Sequence, residues 1–394
     1  MVKKARCCPI CSTTEKVCLY KQNFNNDVIS LMDSYDVVVC SNCGFAYADN
    51  IPRQSIFDNY YEVMSKYEFN YNDGVVSGDY IDYYTKIADF IAPYIADKNA
   101  AILDMGCSTG CLLSIFKSRG YSNLLGVDPS PSCVKTAKQL YNIEAVTGNI
   151  NSLVDNEKFD LIILSAVLEH LVDYESSMQA VRSLLKDNGL LFIAVPDAER
   201  FGNFISAPFQ QFSTEHISYF SQYSLKNMLS AFSFTILKIY QSESKLNMTT
   251  EPDIFVITQK SNEKSFSHVK DNTSELKLRD YIAKCTDIET EIKKIIKDKL
   301  AATDKVIVWG TGTHTQRLLS CGLDISKIQY FVDSNTRYTG KKLKGTEIKL
   351  PAAITEPEYP ILISTYTYQK EIAHQIRNIL KLKNEIITIY SEVG

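Results

Sequence analysis

One short stretch, Ile102–Leu112, constrains the fold of this chain more than any other. It reads ILDMGCSTGCL: an apolar run stops at Asp104, Gly106 and Gly110 follow, and an apolar-periodic run then continues through Phe116. This order indicates a strand, a tight turn and a helix, because glycine lets the backbone approach a ligand closely. The stretch therefore predicts an α/β fold with a ligand-binding turn.

A second apolar strand, Leu124–Asp128, ends in a carboxylate that could hold a ribose diol by two hydrogen bonds. The glycine spacing before it, D-x-G-x-x-x-G, differs from the G-x-G-x-x-G turn of dinucleotide enzymes. It resembles motif I of the class I S-adenosylmethionine (SAM) methyltransferases, usually D-x-G-x-G-x-G, with Ser108 in place of the central glycine. The resemblance covers residues 99–260 and implies a doubly wound α/β sheet that binds SAM.

The order of segments after Asp128 agrees with that resemblance. We expect a helix to Tyr141, strands ending near 150, 165 and 196, and an antiparallel closing pair at 234–240 and 253–258. The apolar run Phe159–Ser165 is typical of a buried parallel strand. The resemblance implies that Asn149 lies near the adenine. The cofactor-binding residues that it implies are Asp104, Gly106, Cys107, Ser108, Gly110, Asp128, Asn149 and Ser165.

Two of the five histidines directly follow a glutamate, in the pairs Glu169-His170 and Glu215-His216. Both pairs are expected in loops that leave strands of the sheet, and ligands of open α/β sheets bind outside the carboxyl ends of the strands. A histidine beside an acid at such a pocket is placed to act as a general base. A purely structural hydrogen bond is the alternative for each histidine.

Four cysteines form two C-x-x-C knuckles, Cys8 with Cys11 and Cys40 with Cys43. Each knuckle lets two thiolates converge, and two knuckles complete a tetrahedral shell of four sulfurs for a structural Zn2+. Cys7 is a possible substitute for Cys8, and Cys18 is a weaker candidate. The intervening residues from Lys16 to Val39 can form a hairpin.

Length and composition set the remaining bounds. A chain of 394 residues suits two or three domains. Its net charge of −4 does not indicate binding to nucleic acid or to an anionic membrane. No apolar stretch approaches the length of a membrane span, and no apolar region follows the basic opening Met1–Arg6. Eleven cysteines without a secretion signal favour reduced thiols. We therefore expect a cytoplasmic protein with a small-molecule substrate; the oligomeric state stays open.

The C-terminal part begins a second strand–turn–helix unit at Val306–Trp309, followed by Gly310-x-Gly312 and, after the next strand, Asp333. The third glycine of a dinucleotide fingerprint is missing, because Thr315 occupies its place. An anion or sugar-nucleotide site, or a vestigial one, is favoured over NAD. The expected domains are zinc-binding (1–50), a tyrosine-rich helical lead-in or lid (51–98), the SAM domain (99–262), a helical linker (263–300) and a Rossmann-like domain (301–394).

A zinc knuckle domain, a SAM domain with an E-H-x-x-Y-F-S segment and a C-terminal nucleotide-fold domain together resemble the sugar C-methyltransferase family. Members methylate a nucleotide-linked deoxy-keto-sugar. The resemblance implies that His216 is the general base, that Glu215 is its acidic neighbour and that His170 assists. It also places a site tyrosine near Tyr67 or Tyr71.

The chain departs from the family at Ser213, where members often have a tyrosine that could stabilise an enolate. This leaves methylation of a sugar hydroxyl as an alternative to methylation of carbon. A nicotinamide enzyme that uses the C-terminal domain and a non-catalytic scaffold for glycan assembly are further alternatives. The favoured prediction remains a methyltransferase of surface-glycan or natural-product biosynthesis.

Overall fold

The computed structural model describes residues 5–24, 31–63, 76–150, 152–153, 158–246, 249–262 and 269–390. The chain divides into two compact units that alternate along the sequence. The first consists of Met1–Leu19, Asp36–Phe204 and Glu215–Leu278, and the second of Tyr20–Tyr35, Ile205–Thr214 and Arg279–Gly394. In the described ranges, no helix has both the length and the apolar character needed to cross a bilayer.

The strands up to residue 260 are β1 (Lys16–Asn23), β2 (Ser34–Cys40), β3 (Ala46–Asp49), β4 (Ile102–Met105), β5 (Leu124–Asp128), β6 (Ala145–Thr147), β7 (Phe159–Ser165), β8 (Leu185–Pro196), β9 (Ser218–Tyr219), β10 (Phe234–Leu246) and β11 (Thr249–Lys260). The helices of this part are α1 (Gln54–Val63), α2 (Gly78–Ile91), α3 (Cys111–Ser118), α4 (Pro131–Tyr141), α5 (Tyr174–Leu184) and α6 (Gln222–Ala231).

The core of the first unit is a seven-stranded sheet in the order β10-β11-β8-β7-β4-β5-β6. The strands from β8 to β6 are parallel, whereas β11 is antiparallel to both β8 and β10. The apolar character of β7 follows from this position, since Ile162, Ile163 and Leu164 are completely buried between covering layers. The expected α/β fold and the antiparallel closing pair are confirmed.

The glycine turn joins β4 to α3. Gly110 lies at the start of α3 with φ +84°, and a Cβ added there would lie 2.9 Å from the Cβ of Ala137. Both the left-handed backbone and the close approach of α4 therefore require glycine. The next helix, α4, is started by Ser130, whose hydroxyl accepts the Cys133 amide, with Pro131 in the first turn.

A smaller sheet has the order β1-β2-β3-β9. Its antiparallel contact between β3 and β9 pairs Ala46 with Tyr219 and Tyr47 with Ser218. This pairing links the cysteine-containing N-terminal region to the segment that directly follows Glu215 and His216. Both partners belong to the first unit.

The second unit is also α/β. Its remaining elements are α7 (Ser274–Lys299), which begins in the first unit, then β12 (Val306–Trp309), α8 (Thr313–Ser320), β13 (Ile328–Val332), β14 (Lys342–Leu343), β15 (Thr346–Lys349), β16 (Ile361–Ile363), α9 (Gln369–His374) and β17 (Ile386–Thr388). The sheet order is β14-β15-β13-β12-β16-β17, with all neighbours parallel except β14 and β15. This is the Rossmann-like arrangement that the sequence predicts.

Arg317 of α8 is 6% exposed and connects three separate segments of the second unit. Its guanidinium donates to Glu289 at 2.6 Å, to the side chain of Gln22 at 2.6 Å and to the hydroxyl of Tyr20 at 2.7 Å. The ring of Phe209 lies 3.8 Å from the guanidinium carbon. The buried charge is therefore compensated by partners far apart in the sequence.

Candidate active site

The turn after β4 is held by the carboxylate at the end of β5. Asp128 accepts hydrogen bonds from the backbone amides of Ser108, at 2.8 Å, and Ser130, at 2.9 Å. Ser108 has the left-handed φ of +48°, as Gly106 does at +77°, and its buried hydroxyl has no hydrogen-bond partner. The carboxylate thus shapes the turn, and a buried polar atom remains for a ligand to satisfy.

The other cofactor residues predicted from the sequence lie around the same edge. Pairing of Met105 with Val127 and Leu164 aligns the carboxyl ends of β4, β5 and β7. Ser165 ends β7, whereas Asn149 is exposed and lies two residues beyond β6.

Asp104, in β4, is a buried acid of this edge, 3% exposed. Burial raises the pKa of its carboxyl to about 8, and the negative charge of Asp128 adds to the effect. A positively charged ligand beside Asp104 would favour the ionised form. The sulfonium cofactor expected from the sequence has that charge.

The two predicted acid–histidine pairs come together. Glu169 and His170 form a short 3-10 turn after β7, and the rings of His170 and His216 lie 5.1 Å apart. The backbone carbonyl of Glu169 accepts the Ile217 amide at 3.0 Å, which fixes one loop against the other. Nδ1 of His170 lies 2.9 Å from the carbonyl oxygen of Glu215.

The proton position on His170 follows from that last contact. A carbonyl oxygen can only accept, so Nδ1 carries the hydrogen and Nε2 of the neutral ring presents its lone pair. Nε2 lies 3.8 Å from Oε1 of Glu169, beyond hydrogen-bonding distance. Glu169 is 1% exposed and its Oε2 is buried without a partner. Burial raises the pKa of Glu169, and the positive charge that His170 carries when it is protonated opposes this shift.

Two tyrosines of α1 reach this cluster. Tyr60 donates its hydroxyl to Oε1 of Glu215 at 2.9 Å, and the hydroxyl of Tyr61 lies 3.1 Å from Nδ1 of His170. The sequence favoured Tyr67 and Tyr71 for such a role, and both lie outside the described residues. The adjacent tyrosines in DNYYE were not singled out, because a tyrosine-rich helix gives no signal for which ring faces a site.

A further acid near this edge, Asp253, was not predicted from the sequence. Register pairs it with Pro196 at the end of β8, and its Oδ2 is buried without a partner. Burial raises the pKa of Asp253 to about 7, with a contribution from the negative charge of Glu169. The pKa of Tyr83, in α2, is raised by burial and by Asp253. The position of Asp253 at the sheet edge follows from the pairing of β11 with β8, which the local sequence does not reveal.

The four knuckle cysteines converge as predicted. Sγ of Cys8 lies 3.4 Å from that of Cys43, Cys11 and Cys40 are also 3.4 Å apart, and all four sulfurs lie within 4.8 Å of one another. Sulfurs on one tetrahedral Zn2+ are about 3.8 Å apart, so this set fits the ion. Cys7 and Cys18 are exposed and do not belong to the group. A hydrogen bond with Cys43 lowers the pKa of Cys8 to about 6, which favours a thiolate there.

Residues 79–239 match the family model described as "Methyltransferase domain". Together with the parallel sheet and the D-x-G-x-x-x-G turn, this match identifies the region as a class I SAM-dependent methyltransferase domain. Residues 302–387 match a second family model, described as "C2185-like, N-terminal".

Individual relatives are more distant. The C-methyltransferase NovU of Streptomyces niveus is 22% identical over 371 residues, 88% of this chain and 83% of that protein. The ubiquinone biosynthesis O-methyltransferase of Pelagibacter ubique is 33% identical over 102 residues, 25% of this chain and 42% of that protein. The magnesium protoporphyrin IX methyltransferase of Synechocystis PCC 6803, solved with bound SAH, is 16% identical, with 53% of this chain and 100% of that chain covered at a TM-score of 0.39.

Proposed function

We propose that this protein transfers the methyl group of SAM to a carbon of a nucleotide-linked keto-deoxysugar, in surface-glycan or natural-product biosynthesis. The observation that carries the proposal is the convergence of the Glu169–His170 and Glu215–His216 loops at one edge of a methyltransferase sheet. The length of the similarity to a C-methyltransferase supports reaction at carbon.

In the proposed mechanism His216 removes the proton on the carbon beside the ketone. The resulting enolate attacks the methyl group, a carbon–carbon bond forms, and the sulfonium of SAM becomes a neutral thioether. Glu215, held by the hydroxyl of Tyr60, orients His216 and favours its protonated form. His170 helps to hold the sugar. The positive charge at sulfur is lost when the methyl group is transferred, so the chain must mainly orient the acceptor and accept one proton.

We place SAM over the turn from Gly106 to Gly110, with Asp128 on the ribose hydroxyls and Asn149 near the adenine. The buried, unpartnered hydroxyl of Ser108 supports this placement, because a bound ligand would satisfy it. The raised pKa of Asp104 also supports a cationic ligand at this edge.

Transfer to a sugar oxygen is the second candidate, favoured by the similarity to O-methyltransferases. The two reactions are separated by incubating nucleotide-linked keto-sugars with the enzyme in D2O without SAM. Carbon methylation predicts deuterium uptake beside the ketone, and His216→Ala should suppress it. Turnover of SAM without any such exchange would favour the oxygen reaction. A panel of nucleotide sugars that gives no turnover at all would favour a non-catalytic role.

For the cysteine cluster we propose a structural Zn2+ bound by Cys8, Cys11, Cys40 and Cys43. Four protein ligands leave no open coordination position, and the three-dimensional spacing suits the ion. Because metal binding contributes folding free energy, Cys40→Ser should lower both the zinc content and the stability of the N-terminal region. Wild-type protein that is fully folded without metal would refute the assignment.

We further propose that the C-terminal unit binds or positions the sugar nucleotide and uses no NAD. The absence of NAD binding is supported by Thr311, because both its amide and its hydroxyl donate to Asp333, at 3.0 and 2.6 Å. In a dinucleotide enzyme that carboxylate holds a ribose hydroxyl. None of the eleven cysteines, all of which lie within the described residues, is in a disulfide, and this supports a cytoplasmic location.

A further inference from the structure

Three side chains at the candidate active site bring metal-ligating atoms close to one another. One ligand atom each of Glu169, His170 and His216 lies within 4.8 Å of the other two. Among the described residues, the cysteine cluster is the other group with this property, and its spacing fits a metal ion. Two imidazoles and one carboxylate form a donor set that suits divalent transition metals better than Ca2+ or Mg2+.

The contact between His170 and Glu169 is not explained by a direct hydrogen bond. Nδ1 of His170 carries its hydrogen because it faces the Glu215 carbonyl at 2.9 Å, so the lone pair of Nε2 points toward Oε1 of Glu169 at 3.8 Å. While the imidazole is neutral, neither a hydrogen bond nor an ion pair joins these two atoms across that gap. Two ligands of one Zn2+ lie about 3 to 4 Å apart, which matches the separation.

Glu169 has a second property of a metal ligand. It is 1% exposed, and its Oε2 is buried with no hydrogen-bond partner. An orphaned buried carboxylate oxygen is destabilising unless a cation or a donor satisfies it. A histidine ligand that donates its other ring nitrogen to a backbone carbonyl, as His170 does to Glu215, is the usual outer-shell arrangement at metal sites.

We propose that Glu169, His170 and His216 bind a divalent transition-metal ion, separate from the cysteine-bound ion. The ion takes the ketone or hydroxyl oxygen of the acceptor as a further ligand and makes the neighbouring proton more acidic. The site therefore selects acceptors whose oxygen can coordinate a metal.

A neutral imidazole has one nitrogen with a lone pair, so His216 cannot use that nitrogen to bind the ion and to accept a proton at the same time. Glu169 and His170 are neighbours on one short turn, whereas His216 comes from another loop. His216 is therefore the exchangeable ligand: the acceptor oxygen takes its position on the ion, and the released imidazole accepts the acceptor's proton. This step rests on the proposed function, but metal binding itself does not.

The test counts metal ions on the full-length chain without SAM or acceptor. Protein stripped with EDTA is reloaded with Zn2+ or Co2+, and bound metal is measured by mass spectrometry and calorimetry. Wild type should bind two ions, Glu169→Gln and His170→Ala one, and Cys40→Ser should lose the other. With Co2+, the sulfur-to-metal absorption bands should remain in Glu169→Gln and disappear in Cys40→Ser. Tyr61→Phe, which removes the hydroxyl beside Nδ1 of His170, should weaken binding of the second ion about tenfold.

The matched controls are His374→Ala and Glu175→Gln, which change exposed residues and should leave two ions bound. SAM affinity equal to that of wild type shows that each variant is folded. Wild type that binds one ion at saturating Zn2+, or a Glu169→Gln variant that still binds two, overturns the proposal. If Glu169→Gln does not fold, the wild-type count and the Tyr61→Phe affinity decide. A failed methyl-transfer assay with two ions bound would instead refute the proposed function.

Discussion

The two α/β units use the same device at their glycine turns and differ in what they leave unsatisfied. In the first unit Asp128 accepts the amide of Ser108, and in the second Asp333 accepts the amide of Thr311. The hydroxyl of Thr311 also donates to its carboxylate at 2.6 Å, whereas the hydroxyl of Ser108 is buried without a partner. A shared strand–turn–helix pattern therefore does not imply a shared ligand: one turn satisfies its own polar groups, and the other retains one for a ligand.

The largest expected effect tests whether the chemistry lies in the first unit. His216→Ala and His216→Asn should lower turnover about 10^2- to 10^4-fold, because the proposed general base is lost while SAM binding does not need it. The measurement is turnover with SAM affinity determined in parallel. Exposed His374 in the second unit is the matched control, and His374→Ala should leave turnover unchanged. Near-wild-type turnover in both His216 variants would make that residue structural.

A second test removes, one at a time, the two carboxylates that hold the turns, Asp128 and Asp333. Asp128→Ala should weaken SAM binding roughly 10- to 100-fold, the equivalent of about 1.5–3 kcal/mol, because the buried carboxylate that we propose for the ribose hydroxyls is lost. Asp333→Ala should leave SAM affinity unchanged. Calorimetry decides, and equal SAM affinities in Asp128→Ala and wild type would contradict the assignment of the cofactor site.

The glycines offer a sharper comparison of the turns themselves. Gly110→Ala should destabilise the protein by about 1–2 kcal/mol, because its φ of +84° is left-handed and Ala137 lies close. Gly312 has φ −67° and nothing within 4 Å of an added Cβ, so Gly312→Ala should be close to neutral. Chemical denaturation measures both. Equal losses of stability would mean that the second turn is as constrained as the first.

The acid before the first turn gives a pH dependence. Between its ordinary value of 3.8 and its folded pKa of about 8, Asp104 keeps a proton in the folded state that the unfolded state has lost. The unfolding free energy therefore falls as pH rises through this window, by up to about 1.4 kcal/mol per unit. Asp104→Asn should flatten the decline in SAM-free protein, and Asp187→Asn, at an exposed position, should not. Parallel profiles for wild type and Asp104→Asn would contradict the shift.

The smallest expected effect is no effect. Titration with NAD(H) should give no saturable signal in the micromolar range, because the second turn lacks the third glycine and its carboxylate is already bound to Thr311. Copurified NAD, or saturable NAD(H) binding, would contradict the prediction that the second turn does not bind a dinucleotide.

Local patterns predicted the parts of this molecule that local chemistry determines. The apolar runs at Ile102–Met105 and Phe159–Ser165 are strands, and the two knuckles converge, because periodicity and turn residues act over a few positions. The sequence predicted that His170 and His216 would approach each other as two loops that leave strands of one sheet. His170 does follow β7, whereas His216 lies directly before β9 of the smaller sheet.

What escaped prediction depends on long-range pairing. Tyr60 and Tyr61 reach the acid–histidine loops through the placement of α1, and Asp253 reaches the edge through the antiparallel register of β11 with β8. Nothing in the neighbouring sequence of these residues encodes that placement. The same holds for Tyr20–Tyr35 and Ile205–Thr214, which belong to the second unit although both precede its main segment.

The environment of Arg317 has a consequence for how the chain can fold. Tyr20, Gln22 and Phe209 complete the neighbourhood of this buried guanidinium, yet the segments that contain them are separated from it by long stretches of the first unit. A fragment beginning at Arg279 would leave that charge with Glu289 alone among these partners, so it should be a poor autonomous folder. Native contacts this distant in sequence make folding slow, since their loop-closure entropy must be overcome late. The second unit therefore combines its main segment with segments that are synthesised much earlier, and it should mature only after that main segment has been made.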